Sequence, residues 1–256
     1  MTFELQTNNA FRLTSLFQLG RLKELRSGVL SAIEDAEQRG DLFGSISFRL
    51  SHFPTIWLLE DAPARSREQM RFALERLTAH TPAHRWYHLL AEHLIDLYTG
   101  ERATAFQRIE AEWPKLKRQL LLRVPAIRMD ALWVRGTAAM ANLELSQARK
   151  ALEATIKQLR NEKTVLATAF IAVLQAGLAK AQGDLARCGK ELEEATSLFT
   201  QLDMALHARA THAQWGAWVG GDSGEKALAS VRSELAAEGA VQPDKIIRMI
   251  VPGLAL

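Results

Sequence analysis

The sequence predicts an all-α protein, a right-handed superhelix (α-solenoid) built from about six helix hairpins. Three observations predict it. Thr164 to Leu178 (TVLATAFIAVLQAGL) carries no charge and is too rich in Ala and Leu for a strand. It breaks at Gly183-Asp184, and a second segment follows with Leu185, Cys188, Leu192, Ala195, Phe199 and Leu202 at three- and four-residue steps. That is a buried helix, a Gly stop, an Asp N-cap and a half-buried helix folded back on the first. The pattern recurs: second helices of successive pairs begin near Arg21, Ala64, Glu101, Ser146, Asp184 and Asp222, about every 40 residues. No stretch alternates apolar and polar residues long enough to argue for a sheet. One hairpin cannot hide its own apolar faces, so each must lean on the next, leaving a shared concave groove.

Taken in order, residues 1–8 are short and polar and are expected to be disordered or an added tail, with one solenoid domain over 9–256. Asn9 to Leu19 is a short helix stopped by Gly20. Arg21 to Arg39 places Leu22, Leu25, Val29, Ile33 and Ala36 on one face, and Gly40-Asp41 repeats the stop-and-cap pair. Leu42 to Leu59 is more apolar, with Pro54 expected to kink or end its first part. Asp61-Ala62-Pro63 breaks the chain before Ala64 to Leu77, and His80-Thr81-Pro82 breaks it again. Ala83 to Tyr98 is the next inner helix, ended by Gly100. Glu101 to Trp113 follows, with Pro114 as its expected interruption. Pro125 divides the run to Leu145 into a connector and a long inner helix. Ser146 to Arg160, the Lys163–Asp203 pair, Met204 to Val219, a helix opened by Asp222 and a last short helix from Pro243 to Val251 complete the chain.

Composition narrows the function classes. Apolar content of 48% and charged content of 24% over 256 residues are those of a globular chain with ample length for a core. A net charge of +3 with both signs interspersed gives little reason to invoke nucleic acid or an anionic membrane. The single cysteine, Cys188, excludes an intrachain disulfide and a Cys-rich zinc site, and it sits on an apolar stripe as a small hydrophobe. The Thr164–Leu178 run falls short of the roughly 20 apolar residues of a membrane span. Met1 to Ala10 lacks a signal-peptide core, so the expected compartment is the cytoplasm.

Gly183-Asp184, with Cys188 and Ala195 at small-residue positions and Leu192 at a large one, resembles the second half of a tetratricopeptide repeat. The first helix departs from that pattern, with Ala172 and Ala176 where a large aromatic and a Gly are usual. Whole phrases carry a further likeness: Asp35-Ala-Glu-Gln-Arg-Gly-Asp-Leu42, Glu112-Trp-Pro…Leu120-Leu-Leu-Arg-Val124, Leu202-Asp-Met-Ala-Leu206 and Arg248-Met…Val251-Pro-Gly253. In this order, over roughly Leu22 to Gly253, they are similar to the tetratricopeptide-like helical region C-terminal to the kinase domain in bacterial eukaryotic-like serine/threonine protein kinases. The resemblance implies a sensor or docking module with no catalytic residues of its own, working by occlusion or dimerisation. Its partner would be a peptide, a protein, or a kinase domain in the same full-length chain or a separate one, and a homodimer is compatible with it. No Gly-rich phosphate loop, His-Arg-Asp loop or Asp-Phe-Gly segment of a kinase is present.

The residues themselves offer few chemical groupings. Arg128 and Arg135 are seven apart on one inner helix, so they share a face that would line the groove and could clamp a carboxylate or phosphate. Trp86-Tyr87 beside His84 and His88 is the expected aromatic spot on the same groove. His84 and His88 stand one turn apart with Glu92 another turn on; this is the basis of an alternative reading as a helical metal-dependent enzyme or metal-binding protein. His207 and His212, five apart, fall off each other's face. The basic run Lys115, Lys117, Arg118, Arg123, Arg128 and Arg135 lacks free aromatic platforms, so no nucleic acid is expected. Most of the six tryptophans should be core wedges. The expected function is a non-catalytic interaction module binding a peptide or partner domain in its concave groove, without a cofactor.

Overall fold

The computed structural model describes residues 2–77 and 81–256, and every regular element among them is helical. The elements are α1 (Thr2–Gln18), α2 (Leu22–Gln38), α3 (Leu42–Ser47), α4 (Thr55–Leu59), α5 (Pro63–Glu75), α6 (Pro82–Thr99), α7 (Arg102–Arg118), α8 (Pro125–Met140), α9 (Ser146–Leu159), α10 (Val165–Ala181), α11 (Leu185–Gln201), α12 (Ala205–Val219), α13 (Gly221–Ala237) and α14 (Pro243–Ile250), with a 3-10 turn at Leu121–Arg123. Apart from the short α3 and α4, helices adjacent in sequence pack on one another, most extensively from α10 to α13.

Local chemistry sets the ends. Asp41 and Asp184 each follow a left-handed Gly, and their side chains accept from the Gly44 and Arg187 amides, as an N-cap requires. Thr81 caps α6 by accepting from the His84 amide, and Thr164 caps α10 by accepting from that of Ala167. Three boundaries differ from the sequence expectation. The first helix begins at Thr2 instead of Asn9, and Gln6 in that added part is buried and donates to Asp41 Oδ2 at 2.6 Å. Pro114 does not interrupt α7: Trp113 and Leu116 on either side are both buried, and their packing holds the helix through the missing amide. The Leu42–Leu59 run breaks as Pro54 led one to expect, with Pro54 at the N-cap of α4. However, α3 already ends at Ser47, because Phe48, Leu50 and Phe53 all turn into the core and Ser51 takes a left-handed conformation between them. His80, part of the expected break before α6, lies outside the described residues.

The array does not stay open. α1 packs on α12, and α14 packs against α6, α12 and α13. The Val241 amide donates to Leu59 O at 2.8 Å, Lys245 pairs with Asp61 at 2.8 Å, Arg209 donates to Gly20 O at 3.1 Å and the Lys23 amide to Glu238 at 3.1 Å. First and last thirds of the chain therefore meet. Ile246, Ile247, Met249, Ile250 and Val251 are all buried. The chain's own last helix thus lies where the sequence reading expected a trough.

Beyond α14 the chain is irregular yet held. Gln214, itself buried, donates to Val251 O at 2.7 Å and accepts from the Ala255 and Leu256 amides at 2.9 and 3.0 Å. Lys180 donates to Gly253 O and Leu254 O at 3.0 and 2.6 Å. Gly253 has φ +76°, and a Cβ there would stand 2.7 Å from Met140 O. Gly40 has a similar φ of +66° with nothing within 4 Å of such a Cβ. Gly40→Ala should therefore cost about 1 kcal/mol from backbone strain alone. Gly253→Ala should cost about 3 kcal/mol, because strain and overlap with backbone add. Urea unfolding of the two variants measures the difference; equal losses would show that the tail is not seated as described.

Candidate functional site

The inner faces converge on a small polar centre. Gln18 of α1, His52 of the α3–α4 connection, His93 of α6, Asp130 of α8 and His207 of α12 line a cavity of about 20 Å³, together with Trp133 and Met249 among others. That volume holds about one water molecule and no larger ligand. The rings pack tightly: Trp133 stacks on Phe170 at 4.4 Å, and His207 lies 5.1 Å from Phe199 and 5.6 Å from Trp133. His93 Nε2 contacts the Thr137 hydroxyl at 3.1 Å. That hydroxyl already donates to Trp133 O, so the imidazole carries its proton on Nε2. Burial pushes His52 down to about 4, and His93 and His207 to about 3. Burial pushes Asp130 up to about 7; it faces the cavity and is only partly enclosed by area. All three imidazoles are neutral at pH 7.

The residues expected to line a groove are placed otherwise. Trp86 is wholly buried. Tyr87 is half-buried, and its carbonyl accepts from the Ser51 amide. Arg135, 8% exposed, makes a two-pronged pair with Glu110 of α7 at 2.6 and 3.1 Å and lies 4.6 Å over the Trp113 ring. Arg128 forms the equivalent pair with Glu162 at 2.7 Å on both prongs and donates to Leu122 O. These arginines are struts between neighbouring helices. His84 sits at the start of α6, 2.9 Å from Thr81 Oγ1 and edge-on to Phe43. His88 lies 3.5 Å from Glu92, whose other oxygen is held by Arg108 at 2.8 Å. Arg108 and Arg67 also reach buried Asp96, at 3.3 and 3.1 Å. Glu92 is therefore committed to cations, and among the described residues no group of three or more His, Cys, Asp or Glu could hold a metal ion. Within the basic run, Lys115 pairs with Glu112 besides the two arginine struts. Cys188 is fully buried and its thiol is pushed up to about 11, as suits a core residue.

Two tryptophans behave differently from the rest. Trp57, Trp86 and Trp113 are core residues and Trp133, partly buried, stacks on Phe170; Trp215 and Trp218 are also partly buried, one turn apart on α12, but border open space. With Leu185, Gly189 and Lys190 of α11 and Val219 they line an open groove of about 670 Å³. Their indole N–H groups are fixed, Trp215 donating to Glu193 at 2.9 Å and Trp218 to Leu185 O at 3.2 Å. His212 stacks on Trp215 at 5.5 Å and extends the platform. Leu185 is 64% and Val219 51% exposed, so apolar surface continues at the rim. Sequence reasoning expected most of the six tryptophans in the core and did not single out Trp215 and Trp218.

Fold and groove together define an all-α, helix-on-helix protein with a pre-formed aromatic cleft. Comparison with protein-family models, with curated proteins and with solved structures gives no match for this chain. Among the described residues, no helix is long and apolar enough to cross a membrane.

Two predictions separate structural from exposed roles. Arg135→Ala should lower stability by about 2–3 kcal/mol, since it leaves Glu110 unpaired and uncovers Trp113, as chemical denaturation would measure. A variant as stable as the parent would remove the strut assignment. The buried imidazoles must be neutral in the fold but protonate when unfolded. Their contribution is present above about pH 6.5 and is lost as pH falls toward 4, at about 1.4 kcal/mol per unit each. Asp130 works in the opposite sense between about pH 7 and 4, so one acid offsets one of three histidines and acidification destabilises overall. Asp130→Asn should then stabilise the protein by about 2 kcal/mol at pH 8, with the gain shrinking toward pH 4, in thermal unfolding scans across that range.

Proposed function

We propose that the protein is a non-catalytic interaction module that seats an apolar segment of a partner protein in the α11–α12 groove. One observation carries this reading: Trp215 and Trp218 remain partly exposed and border an open cleft, whereas Trp57, Trp86 and Trp113 are buried and the partly buried Trp133 is stacked on Phe170. Large aromatics whose polar atoms are already tied present rigid contact area, and ordering them on binding costs little entropy. Lys190 and Glu193 at the edge supply charges of both signs to set the register of a bound chain. On this reading the helix pairs form a right-handed superhelix of tetratricopeptide-like hairpins, supported by the repeated Gly-Asp junctions and by the packing of consecutive helices. The likeness of Asp35–Leu42, Glu112–Val124, Leu202–Leu206 and Arg248–Gly253 supports a regulatory role beside a bacterial serine/threonine protein kinase in the cytoplasm. The partner would then be a segment of that kinase or of a protein it acts with.

Selection from a peptide library displayed on phage tests the groove with no partner chosen in advance. Wild type should enrich peptides with two or more large apolar residues, and Trp215→Ala/Trp218→Ala should lose them by at least about tenfold in affinity. A Cβ at Gly189 meets only Trp218 Cδ1 at 3.9 Å, so Gly189→Phe should fold normally and block the cleft. Peptides that bind all three proteins alike would dismiss this groove.

A further inference from the structure

A second cavity, of about 390 Å³, lies at the junction of α6, α7, α10 and α14 with the C-terminal tail. Four cations line it: Arg102 from the start of α7, Lys180 from the end of α10, and Lys245 and Arg248 from α14. Among the described residues, only Lys245 of these four has a carboxylate partner, Asp61 at 2.8 Å. Lys180 gives hydrogen bonds to two carbonyls, Gly253 O and Leu254 O, which orient its ammonium but do not neutralise it. Arg102 and Arg248 are exposed, and neither has an ion pair among the described residues. Burial and the charge of Arg102 both hold Lys180 below the ordinary lysine range, so the positive charges press on one another. Arg102 and Lys180 also form a wall of an adjoining pocket that adds Arg149 and a single acid, Glu144.

We propose that this pocket is a phosphate-binding site, taking a phosphoryl group carried by a small phosphate compound or by a phosphorylated residue of a protein. Three positive charges without carboxylate partners match a dianion better than a single carboxylate, which would leave two of them uncompensated. Two guanidinium forks can each grip a pair of phosphoryl oxygens, while Lys180 contributes a fixed point charge. Because Lys180 also holds the tail, an anion here bridges α7, α10 and α14 and ties the last segment to the body. Binding is thereby linked to stability. The site is separate from the tryptophan groove and does not rest on it.

Isothermal titration of the full chain at fixed ionic strength, with sodium pyrophosphate, a phosphoserine peptide and sodium acetate, tests the assignment. Pyrophosphate or the phosphoserine peptide binds at least about tenfold more tightly than acetate, and the tighter of the two names the source of the phosphoryl group. Arg102→Gln and Arg248→Gln, both at exposed positions, each weaken that binding about tenfold. Arg187→Gln, which alters an exposed arginine of α11 paired with Glu191, leaves it unchanged. Far-UV circular dichroism confirms that the variants are folded. Acetate binding as tightly as the phosphates, no heat from any of the three, or an equal loss in Arg187→Gln overturns the proposal.

Discussion

Everything else in this molecule depends on α14 occupying the space that the other helices enclose. Burying Ile246, Ile247, Met249, Ile250 and Val251 contributes gross hydrophobic stabilisation of about 10 kcal/mol, comparable with the whole net stability of an ordinary domain. Without it, the inward faces of α6 and α12 would stand open to water. The helix is short, and the chain leaves it as irregular backbone inside the protein, where carbonyls have no ladder to join. Buried backbone groups need partners. Gln214 and Lys180 provide them for Val251, Gly253 and Leu254, and the Gln214 carbonyl receives two amides in return. Apolar burial places the plug, and these few polar clamps fix its depth.

What could be read from the sequence was local. Gly40-Asp41 and Gly183-Asp184 announce their helix junctions because stop and cap lie within two residues of each other, and the periodic faces of α2, α9 and α11 follow from spacing alone. Pro114 misled for the converse reason: what keeps α7 continuous is the burial of Trp113 and Leu116 against other elements. The Pro243–Val251 helix was legible as a helix, but its destination between α6 and α12 was not, since its partners lie about 40 to 160 positions away. The arginines teach the same lesson. A seven-residue spacing correctly puts Arg128 and Arg135 on one helix, yet Glu162 and Glu110 come from different neighbours and satisfy each in turn. Spacing shows that two charges share a face; it cannot show that each has been answered.

Polar groups without partners fall into two kinds here, and their positions separate structure from binding. In the interior, Gln18 Oε1, His93 Nδ1 and His207 Nδ1 have no hydrogen-bond partner among the described residues. They surround a void too small for a substrate or peptide, and burial keeps the imidazoles neutral. A void of this size has no room for a ligand; the consequence of the buried imidazoles is sensitivity of the fold to acid. At the surface, Arg102 and Arg248 have no ion pair among the described residues, and they border a cavity open to solvent.

Lys180 joins the two regions. Its stem closes one side of the basic pocket, while its ammonium holds the strap that keeps α14 in the interior. A cation there must stay charged to grip two carbonyls, and it must do so beside Arg102, which opposes that charge. An anion in the pocket relieves the repulsion and strengthens the grip in the same step. The repulsion is most costly when the pocket is empty, so the stability of the plug and the charge state of the pocket are linked through one side chain. The placement makes that linkage: besides Gln214 of α12, the tail is held from the end of α10, and that end shares the pocket with the start of α7.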